Sequence, residues 1–286
     1  QTFGLISGGC LESDIVLRAR RALEYGQPEF VVYDSTEDGN IAAELGLGCN
    51  GRIGVLVEEL TASHRQLYGC LLDRMERGKT SHLLHCFAGE PADLGAMAVL
   101  DEQLIPLYSL RDESGLPAPA TTTDPSSPIR DAKGNSWVVT PVKPPVRLLI
   151  VGGGVDAQPV AALAAGLGWR VMVADHRTVN ARRHNFVAAE QLIHQRPEDF
   201  QEALTVDAAI LMSHNLTTDA SWLAYCERLP GLQYLGLLGP QSRKQEVLTL
   251  AGLASDSEFA RSVHGPMGLD IGGDLPESVA LSVIAQ

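Results

Sequence analysis

"RLLIVGGGVDAQPVAALAAGLGWRVMVAD", residues Arg147–Asp175, decides the fold of this 286-residue chain. Arg147–Val151 opens on arginine and continues as an unbroken apolar run, as expected of a strand covered on both faces of a parallel sheet. Gly152-Gly153-Gly154-Val155-Asp156-Ala157 follows, then a helical stretch through Ala165, then a second strand that ends on Asp175. This is G-x-G-x-x-A in a strand–turn–helix setting with an acid about twenty residues on, and it predicts a Rossmann-like domain with a mainly parallel sheet. Gly152, Gly154 and Asp175 thereby become candidate cofactor-binding residues. Asp156 stands where the helix begins, so its carboxylate is placed to cap the N–H groups a pyrophosphate would need, and its charge repels that anion. The pattern therefore supports the fold more strongly than it supports bound NAD(P).

Working downstream, "AAILM" (Ala208–Met212) reads as a strand that delivers Ser213-His214-Asn215, with Thr217, Thr218 and Asp219 placed to cap the next helix. "YLGLLG" delivers Gly239-Pro240 and then Ser242, Arg243 and Lys244 in a first helical turn, where cations oppose the helix dipole and call for a nearby anion. "HGPMGLDIGGDLPESVA" sets His264 beside a glycine-rich turn, with Pro276 and Glu277 opening the last helix. Each residue alone fits surface solvation or capping. Their convergence matters because open α/β sheets bind ligands at the carboxyl ends of their strands. Asp156, Asp175, His214, Asn215, Arg243 and His264 are the candidates at that edge, and Asp156, Asp175, His214 and Arg243 are expected to line one cleft.

Working upstream, the pattern changes to an α+β domain. Leu11–Tyr25 has helical spacing and Gly26 to stop it; Glu29–Asp34 and Arg52–Leu60 read as strands; Ala62–Arg77 is a helix ended by Gly78; strands are predicted near Ser81–Phe87 and Gly95–Leu100. Pro106–Pro128 is rich in Pro, Ser, Thr and Gly and reads as an extended loop. "SWVVTPV" adds a last strand, and Pro141–Pro145 reads as a stiff linker, dividing the chain into domains 1–140 and 141–286. The chain opens Gln1-Thr2-Phe3, and the extended reading of Phe3–Ser7 predicts strand partners further upstream. A formal charge of −13 argues against sequence-independent nucleic-acid binding. No apolar run has membrane-spanning length and no leader pattern opens the chain, so a cytoplasmic protein is expected. The five cysteines show no C-x-x-C spacing and read as free thiols. Two of them sit in glycine turns, Ser7-Gly8-Gly9-Cys10 with Glu12 just beyond, and Gly48-Cys49-Asn50-Gly51. Glycine turns with free N–H groups suit a phosphate or a pterin edge, and thiolates suit a soft metal; two small buried cysteines are the structural alternative.

"SGGCLE", "GLGCNG", "GGGVDAQP", "ADHR", "SHN…D", "LGLLGP…R" and "HGPMGLDIGGDLPESVA", in this order over nearly the whole chain, resemble the XdhC/CoxI accessory proteins of molybdenum hydroxylases. The resemblance implies a chaperone that binds molybdenum cofactor (molybdopterin), shields it while its terminal sulfur ligand is installed, and passes it to a xanthine dehydrogenase-type hydroxylase. It implies a sulfurtransferase or cysteine desulfurase as second partner, leaves a homodimer open, and makes Cys10 and Cys49 candidate molybdenum contacts. One departure is visible: the second motif is usually G-C-G-G, and here Asn50 takes the third place, a residue that tolerates left-handed backbone better than most. Two other function classes stay open: an NAD(P)-dependent oxidoreductase using His214 or His264 beside a nicotinamide, and a pure scaffold, for which Cys10 and Cys49 would be buried and inert.

Overall fold

The computed structural model describes residues 4, 6, 11–34, 51–111, 116–117, 128–200 and 204–286. Ser7, Gly8, Gly9, Cys10, Gly48 and Cys49 lie outside the described residues. The chain divides into two compact units, residues 1–144 and 145–286.

In the first unit, α1 (Glu12–Tyr25) starts from Leu11, which is fully buried, and ends at Gly26 in the left-handed region that glycine adopts without strain. Strands β1 (Glu29–Asp34) and β2 (Arg52–Val57) pair antiparallel, Glu29 opposite Val57 and Asp34 opposite Arg52. Leu11 and Tyr33 form the small core between helix and hairpin, and the Tyr33 hydroxyl donates to Asp14 at 2.6 Å. α2 (Ala62–Glu76) opens with a reciprocal cap between Thr61 and His64. It packs Leu67 and Leu71 on Met97 and Val99 of β4 (Met97–Leu100). The alternate residues Ala98 and Leu100 face the other way, onto Leu84, Cys86 and Trp137, as a period of two demands. β4 thus lies inside an antiparallel sheet of order β5-β4-β3-β7-β6, with β3 at Ser81–Ala88, β5 at Pro106–Ser109, β6 at Ile129–Arg130 and β7 at Ser136–Val142.

Two expectations need correction here. Pro106–Ser109 is not loop but an edge strand; proline is tolerated because it stands first in the strand, on the outer edge and beside a register shift. Pro141 and Val142 are not linker but the end of β7, where Val142 pairs with Ser81 of β3.

The second unit carries five parallel strands, β8 (Arg147–Val151), β9 (Arg170–Ala174), β10 (Gln191–Ile193), β11 (Ala208–Leu211) and β12 (Tyr234–Leu237), in the order β10-β9-β8-β11-β12. The chain runs outward from β8 through β9 and β10, then restarts at β11 on the other side. That reversal leaves a crevice at the carboxyl ends of β8 and β11. Leu148 and Ile150 of β8 pack under α3 (Ala157–Gly166) and α7 (Pro276–Ala285). Leu149 and Val151 pack against the layer that contains α4 (Leu216–Cys226) and α5 (Gln241–Leu250). A short α6 (Glu258–Ser262) completes the unit. The strand is apolar from Leu148 to Val151 because both faces are covered. No helix among the described residues is long and apolar enough to cross a membrane.

Candidate functional site

At the carboxyl edge of the parallel sheet the three glycines of the first turn have different reasons to be glycine. A Cβ on Gly152 would lie 2.6 Å from the Met212 carbonyl, and one on Gly153 would lie 2.8 Å from the Ala181 amide. Protein packing alone excludes a side chain at both. Gly154 has no neighbour within 4 Å of that position, so its face is open.

Asp175 is turned inward. Its Oδ2 accepts from the Gly153 amide at 3.0 Å, Asn180 Nδ2 at 3.0 Å and Arg177 Nη2 at 2.9 Å. Its Oδ1 accepts from the Arg177 amide and Nε, both at 2.9 Å. Burial opposes ionisation of this carboxyl, but the bonds from Arg177, Gly153 and Asn180 outweigh it and bring its pKa down to about 2. Both oxygens are committed to the protein, so a ribose hydroxyl would have to displace one of these donors.

Asp156 occupies the N-cap position of α3 but caps nothing, contrary to expectation. Its carboxylate instead meets His214 Nε2 at 3.0 Å, because the backbone of His214 has φ 58 and carries the ring back over the β8–α3 turn. The side chains are 59% (His214) and 32% (Asp156) exposed, so the pair is a surface one worth less than about 1 kcal/mol. His214→Gly, which relieves the positive φ while losing the pair, is expected to leave stability within about 1 kcal/mol of the parent in a denaturant titration; a larger loss would mean the imidazole holds the edge together.

The next helix is capped by Asn215, whose side chain accepts from the Thr218 amide at 2.9 Å, and not by Thr217, Thr218 or Asp219. Asp219 is free for another task. Its side chain is 0% exposed; Oδ1 accepts from Ser213 Oγ at 2.6 Å and the Ser213 amide at 3.2 Å, and Oδ2 from Arg243 Nη2 at 2.6 Å. The anion that Arg243 called for is thus in the chain. Lys244 is buried beside it and donates to the Val263 carbonyl at 2.6 Å, its pKa lowered by burial. His264 extends the sheet edge: its amide donates to Leu235 and its carbonyl accepts from Leu237, both at 2.8 Å, while its ring stacks on Tyr234 at 4.8 Å. The edge residues therefore fall into separately bonded groups, Asp175 with Gly153, Asp156 with His214, and Arg243 with Asp219. Ser213, Asp219, Arg177 and Asn180 hold this edge; the D-x-R spacing after β9 was the one sequence signal for Arg177. A cleft of about 250 Å³ opens between Arg177, Arg196 and the first turn of α4.

The unit 1–144 holds a second polar cluster. His64 Nδ1 accepts from the Thr61 amide at 3.2 Å, which leaves the proton of the neutral ring on Nε2. That nitrogen stands 3.8 Å from Glu58 Oε2, and His85 Nε2 stands 3.1 Å from Glu58 Oε1. Both Nε2 atoms are buried, and neither makes a well-directed hydrogen bond among the described residues. Glu58 and His64 line a cleft of about 280 Å³. Among the described residues no group of three or more His, Cys, Asp or Glu is arranged to hold a metal ion. Glu12, singled out beside Cys10, accepts from the Ile6 amide at 2.9 Å. Of the free cysteines described, Cys86 and Cys226 are buried, with thiols pushed up to about 11 and about 12 by burial, and Cys70 is half-buried.

Residues 148–286 match the XdhC Rossmann domain, and residues 1–34 match the XdhC and CoxI family. The chain is 30% identical over 295 residues to a protein of Bacillus subtilis (strain 168) named as a probable xanthine dehydrogenase subunit, with 99% of this chain and 82% of that protein covered. It is 32% identical over 149 residues to "Uncharacterized protein YqeB" of Escherichia coli (strain K12), covering 49% of this chain and 26% of that one. A crystal structure described as a xanthine dehydrogenase from Bacillus halodurans superposes with a TM-score of 0.79 at 27% identity, covering 100% of this chain and 81% of that one.

Proposed function

The chain belongs to the XdhC and CoxI family, and on that premise we propose that it is a cytoplasmic maturation factor that binds molybdenum cofactor, shields it, and passes it to a hydroxylase of the xanthine dehydrogenase type. It acts without turning over a substrate of its own, and a sulfurtransferase supplies the sulfur ligand while the cofactor is held. When bound, the cofactor brings a soft molybdenum–sulfur centre and a flat pterin. The observation that carries the reading is the polar cluster at the 280 Å³ cleft of the first unit: the Glu58 carboxylate lines the cleft and is approached by the buried Nε2 atoms of His64 and His85. A carboxylate held in a cleft keeps acceptor lone pairs beyond those its imidazole neighbours meet, and a polar ligand's N–H groups satisfy them. The donor set suits a heterocycle, and the thiolates of Cys10 and Cys49 suit the metal.

The test is molybdenum and pterin content of protein purified without oxygen. Cys49→Ala is expected to lower that content tenfold or more, about 1.4 kcal/mol, with the melting temperature unchanged. A variant that carries cofactor like the parent overturns the thiol contact; a parent that carries none overturns the reading.

A second reading, an NAD(P)-dependent oxidoreductase, draws support from the cleft at Arg177 and Arg196, whose guanidinium groups suit a nucleotide phosphate. The committed oxygens of Asp175 count against it. Micromolar NADH binding that Arg196→Ala abolishes would favour this second reading.

A further inference from the structure

Glu58 stands just past the end of β2 and lines the cleft, whose lining also includes the apolar residues Pro28, Leu94 and Leu110. Its two oxygens are approached by His64 Nε2 and His85 Nε2, and Gly95 (φ 77) comes so close that a Cβ there would lie 2.7 Å from Oε2. The carboxylate is thus held in one place by three elements: the first turn of α2, strand β3 and the turn before β4. Its charge reaches Tyr68, whose hydroxyl pKa is raised by burial first and by Glu58 second. The Nδ1 bond to Thr61 leaves the proton of the His64 ring on Nε2. The cluster is therefore built to accept hydrogen bonds from a ligand through the carboxylate, with the His64 ring a donor and not a lone-pair ligand.

A carboxylate with two fixed, coplanar acceptors matches a molecule that presents two parallel N–H donors on one edge. Resting on the reading above, we infer that Glu58 is the recognition residue for the 2-amino-4-oxopyrimidine edge of a pterin: its oxygens accept from the ring N–H and the exocyclic amino group, His64 and His85 hold it in register, and the apolar lining residues cover the ring faces. Glu59, which also lines the cleft, adds to its preference for donor-rich ligands. Arg111 lies in the same cleft and reaches Asp93 only at 3.4 Å. It is available for an anionic substituent on the ring.

The test uses the full chain and two intrinsically fluorescent probes, pterin and lumazine, which differ in that lumazine has a carbonyl in place of the 2-amino group. The parent is expected to bind pterin at least tenfold tighter than lumazine. Glu58→Gln has nearly the same volume but offers one donor and one acceptor, so it is expected to lose pterin tenfold or more and to gain lumazine. A parent that binds both alike, or a Glu58→Gln that keeps the pterin preference, overturns the assignment. Arg111→Ala, an exposed change that leaves the fold untouched, provides an independent measure: it is expected to weaken pterin-6-carboxylate and to spare pterin, and equal affinities with and without Arg111 overturn the proposed orientation. The maturation reading fails separately: a parent without molybdenum and pterin overturns that reading, whereas a loaded parent and an equally loaded Glu58→Gln overturn only the role of Glu58.

Discussion

Arg243→Leu is expected to destabilise the 145–286 unit by about 3–5 kcal/mol, the usual cost of removing one partner from a buried ion pair. Asp219 is fully buried, and after the change its charge would be left, among the described residues, with the two bonds from Ser213. Part of the loss is packing, because Arg243 Cδ fills the space above Gly239, where a Cβ would come within 2.5 Å of it. Denaturant titration followed by tryptophan fluorescence checks this, since Trp222 lies on the same helix as Asp219 and packs against Phe200 and Tyr225. Adding Asp219→Asn removes the stranded charge, so the double variant is expected to recover most of the loss. A single variant within about 1 kcal/mol of the parent would show that water, and not Arg243, carries the compensation.

Asp175→Asn is expected to cost about 2–3 kcal/mol at neutral pH. The carboxyl has a folded-state pKa near 2 against an ordinary 3.8, and at about 1.4 kcal/mol per unit the shift corresponds to about that much stability. The sign follows from the depression: the contribution is fully present above the unfolded-state value and is lost as pH falls through the folded-state value. Parent and variant should therefore differ at neutrality and converge in stability as pH drops from about 4 towards 2. The change also loosens the first turn, because Gly153 loses a charged acceptor and Arg177 its bidentate partner. A gap between the two proteins that stays constant down to low pH would mean that the carboxamide keeps these bonds and that charge contributes little.

Much of the second unit was legible in the chain. The run Leu148–Val151 is apolar at every position, the glycines follow at once, and Asp175 closes the next strand; each signal is local, and each is decided by backbone geometry and burial within a single βαβ unit. The first unit was legible in part. Its helices carried their stops at Gly26 and Gly78, but Pro106–Ser109 was hidden, because a proline reads as a break unless one knows that the strand lies at an edge.

The partners of the site residues were a different matter. Asp219 looked like a helix cap, Arg243 like a cation awaiting a ligand and Asp156 like a cap on α3, and the residue types and spacings allow all three. The amino-acid order was sufficient for the parallel sheet, for the glycine turn at its carboxyl edge and for the family motifs, because propensity, hydrophobic period and turn chemistry act over a few residues. Folding in three dimensions settled who bonds to whom: β11 lies between β8 and β12, which brings Ser213, Asp219 and Arg243 together, and the capping turn of α2 meets β3 so that His64 and His85 close on Glu58. A side-chain hydrogen bond depends on a separation of about 3 Å between groups that can be tens of residues apart in the chain, and no local rule encodes which elements become neighbours.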